Sequence, residues 1–190
     1  MRAPARVLAL IGLSVLMTAV AAGTILVTAG GSKPVAEGLT PAQVAEALEA
    51  HNAWRLRARV APLRWAADLS ARAQNRAEYL ASHGCVIEHG RLPADVGENL
   101  FYVSPLRYTE GRRDEVFAVT VTQVVDAWGA ESADYSAEHG TCAWDRQCGH
   151  YTQIVWATTR EVGCGTSVCP TRGQVWVCNY RPRGNVRTLR

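Results

Sequence analysis

The order of periodicities along this chain predicts a mixed α/β fold, a sandwich in which helices come first and antiparallel strands last. Three observations carry that prediction. Apolar residues recur at helical intervals between Val44 and Trp128. After Tyr135 the pattern changes to strand-like alternation. All 14 aromatic residues lie between Trp54 and Tyr180, and all six cysteines lie between Cys85 and Cys178, so the start of the chain stands apart in composition. With 190 residues, no internal repeat and no low-complexity tract beyond that start, the chain holds one domain behind an address segment.

The address segment comes first. Arg2 and Arg6 precede 26 uncharged residues, Val7 to Ser32, and Ala19-Val20-Ala21 offers a small-residue cleavage site, as in a secretory signal. The uncharged run exceeds a usual signal core, so an uncleaved anchor with its N-terminus inside is the alternative. Residues 1–28 are therefore read as signal peptide or signal anchor, and 29–39, with three glycines, one proline and two charges, as a linker. Residues 40–190 form the exported domain, secreted or tethered on the extracytoplasmic side. Without the leader the chain keeps 18 basic and 17 acidic residues, a net charge of +1. That balance disfavours a nucleic-acid binder and a disordered polyelectrolyte.

Thr40-Pro41 supplies a capping hydroxyl and a proline at the first helical position, and Val44, Leu48, His51 and Arg55 follow on one face. A second helix is expected from near Asp68, with Leu69, Ala73, Ala77 and Leu80 as its stripe. A third is expected through Phe117, Val121, Val124 and Trp128, its length outweighing its strand-favouring valines and threonines. His150, Thr152, Ile154 and Trp156 then alternate with their neighbours as in a strand. Two further strands are expected at 161–169 and 174–180, joined by a turn at Pro170-Thr171-Arg172-Gly173. An even number of cysteines in an exported domain favours three disulfides over a thiolate metal site. Spacing alone leaves their pairing open, although Cys142 and Cys148 suit a local loop.

Three stretches carry a family resemblance: Gly149-His150-Tyr151-Thr152-Gln153-Ile154-Val155-Trp156, Val177 to Asn185 (VCNYRPRGN), and Gly97-Glu98-Asn99-Leu100. With His51-Asn52 and Trp128-Gly129-Ala130-Glu131, they resemble the CAP superfamily of cysteine-rich secretory, antigen 5 and pathogenesis-related class 1 proteins (the SCP domain). The cysteine layout is most like that of the plant pathogenesis-related proteins. The resemblance runs from about Val44 to Asn185 and implies an α-β-α sandwich around an antiparallel sheet. It implies the pairs Cys85–Cys169, Cys142–Cys148 and Cys164–Cys178. It also implies a cleft tetrad of His89, Glu98, Glu131 and His150, with His89 and His150 as the metal ligands where metal is bound.

Beside the resemblance, Glu131 shares a helical face with Val124 and Trp128, and His150 a strand face with Ile154 and Trp156. Both polar groups are thereby expected inward, where they need partners. Either the histidines bind a divalent ion such as zinc, with the glutamates orienting them, or the four groups satisfy one another. Two imidazoles are an incomplete zinc set, so no cofactor is required and zinc is an optional one.

Catalytic signatures are absent: there is no His-Glu-x-x-His and no Gly-x-Ser-x-Gly, and Ser104 and Ser136 find no evident histidine partner. The leading reading is a monomeric, non-enzymatic extracellular module for a lipid, sterol or cell-envelope ligand, touching a membrane only through an uncleaved leader. A zinc-dependent hydrolase or protease in the same cleft is the alternative, and a structural or adhesive envelope domain is another. His51 and Asn52 read as a packing pair, and His83 and His139 as solvated. Trp144 is either a ligand contact or the cover of its loop. Arg181, Arg183, Arg187 and Arg190 read as a solvated tail with weak attraction for anionic polymers. Pro182-x-Gly184-Asn185 matches the start of a peptide signal released by plant relatives, but the chain lacks that signal's closing residues, which argues against release.

Overall fold

The computed structural model describes residues 38–109 and 111–186. The signal or anchor segment, most of the linker, and Arg187 and Arg190 lie outside the described residues. Among those described, no helix is long and apolar enough to cross a membrane.

Helix α1 spans Pro41–Arg57 and starts where its cap chemistry dictates. The Thr40 hydroxyl accepts from the Gln43 amide, the Gln43 side chain accepts from the Thr40 amide, and Pro41 opens the first turn. A short strand, β1 (Arg64–Trp65), leads into α2 (Ala67–Ser82), whose buried side chains Leu69, Ala73, Ala77 and Leu80 form one stripe. Strand β2 is Gly97–Val103, and α3 is Val121–Gly129. A 3-10 turn at Ala130–Asp134 follows, then the β3 (Tyr135–Ser136) and β4 (Thr141–Cys142) hairpin. Helix α4 is Gly149–Ile154, and β5 (Glu161–Val168) and β6 (Gln174–Arg181) complete the chain.

The main sheet has the order β1-β5-β6-β2, which places β2 at one edge. All its pairings are antiparallel except β1 with β5. Strand alternation divides the core in two. Trp176, Cys178 and Tyr180 of β6 join Ala47, Val124, Trp128 and Ile154 on the side of α1, α3 and α4. Val175 and Val177 join Ala73, Ala77, Leu80 and Leu100 on the α2 side. Each side holds a disulfide, Cys164–Cys178 in the first cluster and Cys85–Cys169 in the second, while Cys142–Cys148 closes the loop before α4. The result is an α-β-α sandwich.

Three sequence expectations are corrected. The segment 150–156 is not a strand: its alternation is a coincidence of composition, and α4 forms because a distant carboxylate receives its first free N–H groups. Helix α3 begins at Val121 rather than near Phe117. A second capping box, Thr120 with Gln123, fixes that start, and Phe117 stays exposed. Glu131 does not continue the α3 face but lies in the 3-10 turn after it.

Candidate functional site: two histidine–glutamate pairs around an edge strand

Strand β2 organises the site because it has a partner, β6, on one side only. Leu100 packs on the α2 face, so Glu98 shares that face, and Asn99 emerges on the other. The Glu98 carboxylate is almost fully buried, with 1% of its side chain exposed. It accepts hydrogen bonds from the Gly90 amide (3.2 Å) and Asn179 Nδ2 (3.4 Å), and its Oε1 lies 3.1 Å from His89 Nδ1. A carboxylate so enclosed is stable because donors surround it. The His89 ring, by contrast, is 64% exposed.

The second pair sits on the opposite face. Glu131 accepts from the backbone N–H groups of His150 (2.9 Å) and Tyr151 (3.1 Å), and its other oxygen meets His150 Nδ1 at 2.6 Å. One carboxylate therefore caps the first turn of α4 and sets its imidazole. The His150 ring stacks on Trp128 (centroids 6.0 Å apart, planes at 28°), and Trp128 Nε1 donates to the Leu100 carbonyl. Asn99 joins β2 to α4 and β6, with Nδ2 donating to the His150 carbonyl (3.1 Å) and to the Tyr180 hydroxyl (3.2 Å).

Both imidazoles line one cavity of about 280 Å³ with Glu98, Asn99, Gln147, Gly149 and Asn185. Glu131 is not part of that lining; it stands behind His150. A carboxylate at each Nδ1 favours the tautomer whose proton is on Nδ1, which leaves Nε2 of both rings as a lone-pair acceptor. That is the arrangement by which an outer carboxylate orients a metal-binding or ligand-binding imidazole. The donor count is short, however: no three tetrad donors lie within 4.8 Å of one another. The one such set among the described residues is His51, Cys164 and Cys178. Its two sulfurs are joined to each other, so it has no thiolate to offer.

His51 has a different task. Its Nδ1 donates to the Ala47 carbonyl (2.6 Å), and its Nε2 accepts from the Tyr180 hydroxyl (2.8 Å), which in turn accepts from Asn99. Burial pushes its pKa down to about 4, so it is neutral. Asn52 exchanges both side-chain bonds with the backbone of Leu63. His83 packs on Tyr79 at the surface, and Ser136 meets His139 only within the exposed β3–β4 turn. Trp144 is 94% exposed, so it does not cover its own loop. Sequence reasoning missed Asn99, Gln147 and Asn185 as lining residues. The first and last lie inside the quoted motifs and were within reach; nothing in the sequence marks Gln147. Asn185 is positioned by Thr152, whose hydroxyl donates to it, and by its own amide, which donates to the Gly149 carbonyl.

The sequence pattern described as the Cysteine-rich secretory protein family, CAP, matches residues 48–180. The chain belongs to the CAP family. Pathogenesis-related protein 1A of Nicotiana tabacum is 39% identical over 140 residues, covering 74% of this chain and 75% of that protein. Peptidase inhibitor 16 of Homo sapiens is 34% identical over 157 residues, covering 75% of this chain but 30% of that protein. Among solved structures, venom allergen-like protein 4 of Schistosoma mansoni matches with a TM-score of 0.59 at 22% identity, covering 77% of this chain and 92% of that one. The crystal structure of NaASP2 with Zn2+ also matches at 0.59, with 23% identity and coverage of 80% and 85%. These two structural likenesses establish the CAP fold.

Proposed function

We propose that this CAP chain is an extracellular binding module whose recognition centre is the tetrad cleft, and that its ligand is a polar, hydroxyl-rich component of a cell envelope. The observation that carries this reading is the fixing of both Nδ1 atoms by glutamates, which leaves Nε2 as the acceptor of two rings that line one cavity. The side-chain amides of Asn99, Gln147 and Asn185 complete the polar lining around them. Such a lining suits a saccharide better than a sterol or fatty acid. Export fits the leader, the membership of a family described as secretory, and three disulfides that form in an oxidising compartment. Binding is favoured over turnover because each glutamate already accepts three fixed hydrogen bonds, so neither stands ready as a general base.

A second reading rests on the same tautomers: the two Nε2 atoms hold a divalent ion weakly, and the ligand or water completes its coordination. The NaASP2 crystal structure with Zn2+ supports this by likeness of fold. Calorimetric titration with zinc separates the two. Weak, saturable heat in wild type that vanishes in His89→Ala/His150→Ala supports the ion, and identical heats in both remove it. For the module itself, a panel of soluble glycans, sterol and fatty acid is the test. Saturable binding of a glycan that is lost in the double variant is expected; binding of the lipids alone would overturn the proposal.

A further inference from the structure

A second concavity lies behind the His89 loop, against the outer face of α2. Its volume is about 550 Å³, and Arg72, Arg76 and Arg91 line it together with Asn75, Tyr79 and Leu92. Arg72 and Arg76 are one helical turn apart, so both reach the same side of α2. Arg91 approaches from the loop.

The charges around the pocket do not cancel. Asp68, one of its two acidic groups, is committed to Arg181 at 2.7 Å. The other, Glu98, is committed to Gly90 and His89. Among the described residues, neither Arg72 nor Arg91 has a carboxylate at ion-pair distance. Arg76 has only a long ion pair, with the exposed carboxylate of Glu88, and is otherwise held by a backbone carbonyl. Its Nη2 donates to the Glu88 carbonyl at 2.5 Å, the nearest carboxylate oxygen of Glu88 is 3.8 Å away, and its Nε is buried without a partner. Gly90 packs closely on this guanidinium: a Cβ there would sit 3.2 Å from Arg76 Nε.

We propose that this pocket is an anion site for a phosphorylated organic ligand, with the three arginines on the phosphate oxygens and Tyr79 and Leu92 against the organic part. Guanidinium groups match phosphate geometry and its several acceptor oxygens. The volume exceeds that of a bare phosphate, which leaves room for the ester. The proposal does not rest on what the tetrad binds, although Glu98 lines both concavities.

The test is a titration of the full chain with inorganic phosphate, followed by arginine side-chain NMR, against sodium acetate at the same ionic strength. The expected result is a saturable shift of the Arg76 signals with phosphate only. Apparent affinity should fall about tenfold or more in Arg72→Gln/Arg91→Gln, whose two side chains are exposed and whose fold is not at risk. It should be unchanged in Arg107→Gln, an exposed arginine outside the pocket. Equal shifts with acetate, no saturation, or an equal loss in Arg107→Gln would overturn the proposal. Vesicles of phosphatidylglycerol form the second arm. Vesicle binding displaced by inorganic phosphate identifies a lipid headgroup as the source, and phosphate binding without vesicle binding identifies a soluble or polymeric phosphate ester.

Discussion

Arg55 shows how a single side chain can hold the frame of the site. It is fully buried, yet it faces no carboxylate. Its guanidinium donates to the carbonyls of Ala61 (2.5 Å), Ile154 (2.7 Å), Trp156 (3.0 Å) and Thr159 (3.1 Å), and burial lowers its pKa to about 10. Three main-chain acceptors around the end of α4, and a fourth between α1 and β1, therefore depend on one residue of α1. Arg55→Met should destabilise the domain by about 3 kcal/mol or more, because it strips several buried carbonyls of their donor. Denaturant unfolding monitored by tryptophan fluorescence measures it, and a change within error would contradict this role. His51 makes a prediction in pH. Its folded pKa of about 4 lies below the ordinary 6.5, so below pH 6.5 the unfolded chain takes up a proton that the folded chain refuses. Stability from this group is complete above pH 6.5 and is lost as pH falls toward 4. Between pH 7 and pH 5 the loss is about 2 kcal/mol. Paired unfolding curves for wild type and His51→Gln should show that slope only in the wild type. The sequence displayed both residues on one helical face but not their distant partners, the Tyr180 hydroxyl for His51 and the carbonyls of Ile154, Trp156 and Thr159 for Arg55.

At the scale of elements, two glycines decide how closely α2 lies on the sheet. A Cβ on Gly163 would come within 2.2 Å of the Ser70 amide nitrogen, and one on Gly165 within 2.4 Å of the Gln74 amide nitrogen. Both contacts are with helix backbone, which cannot rotate aside. Gly163→Ala and Gly165→Ala should each cost about 2–4 kcal/mol or prevent folding, whereas Gly38→Ala, which meets nothing within 4 Å, should leave the melting temperature unchanged. Helix α4 rests instead on the Glu131 carboxylate at its first turn. Glu131→Ala should raise amide exchange at His150 and Tyr151 by an order of magnitude or more while sparing α1. Equal exchange in the variant would show that α4 does not need this cap. The contrast between these helices explains what was legible. Helix α1 could be read because its start is encoded locally by Thr40, Pro41 and Gln43. Helix α4 could not, because what holds it is 19 residues away in sequence and its short length leaves apolar alternation to mislead. Strands β5 and β6 were legible as short segments on either side of the Pro170-Thr171-Arg172-Gly173 turn, while β1, at two residues, carries no pattern to read.

Across the whole molecule, the fold gathers a cleft from residues that no local pattern links. His89 and Glu98 come from the α2 side of the sheet, His150 and Glu131 from the other, and both pairs meet around the free edge of β2. Periodicity could predict the sandwich, but the tetrad and the cysteine pairs were legible only through the motifs shared with the CAP family. The local argument for an inward Glu131 and His150 placed them on the wrong elements. The proposed function makes the two Nε2 atoms the acceptors of an envelope ligand. The most direct measurement is long-range proton–nitrogen NMR of the five histidine rings during titration with soluble glycans, N-acetylglucosamine oligomers and glucans among them. Before ligand, the rings of His89 and His150 should carry their proton on Nδ1. Saturable shifts of their Nε2 signals are then expected with at least one glycan, while His51, His83 and His139 stay unmoved. Nε2 signals of His89 and His150 that stay fixed throughout, or shifts confined to the other three rings, would contradict the proposed function.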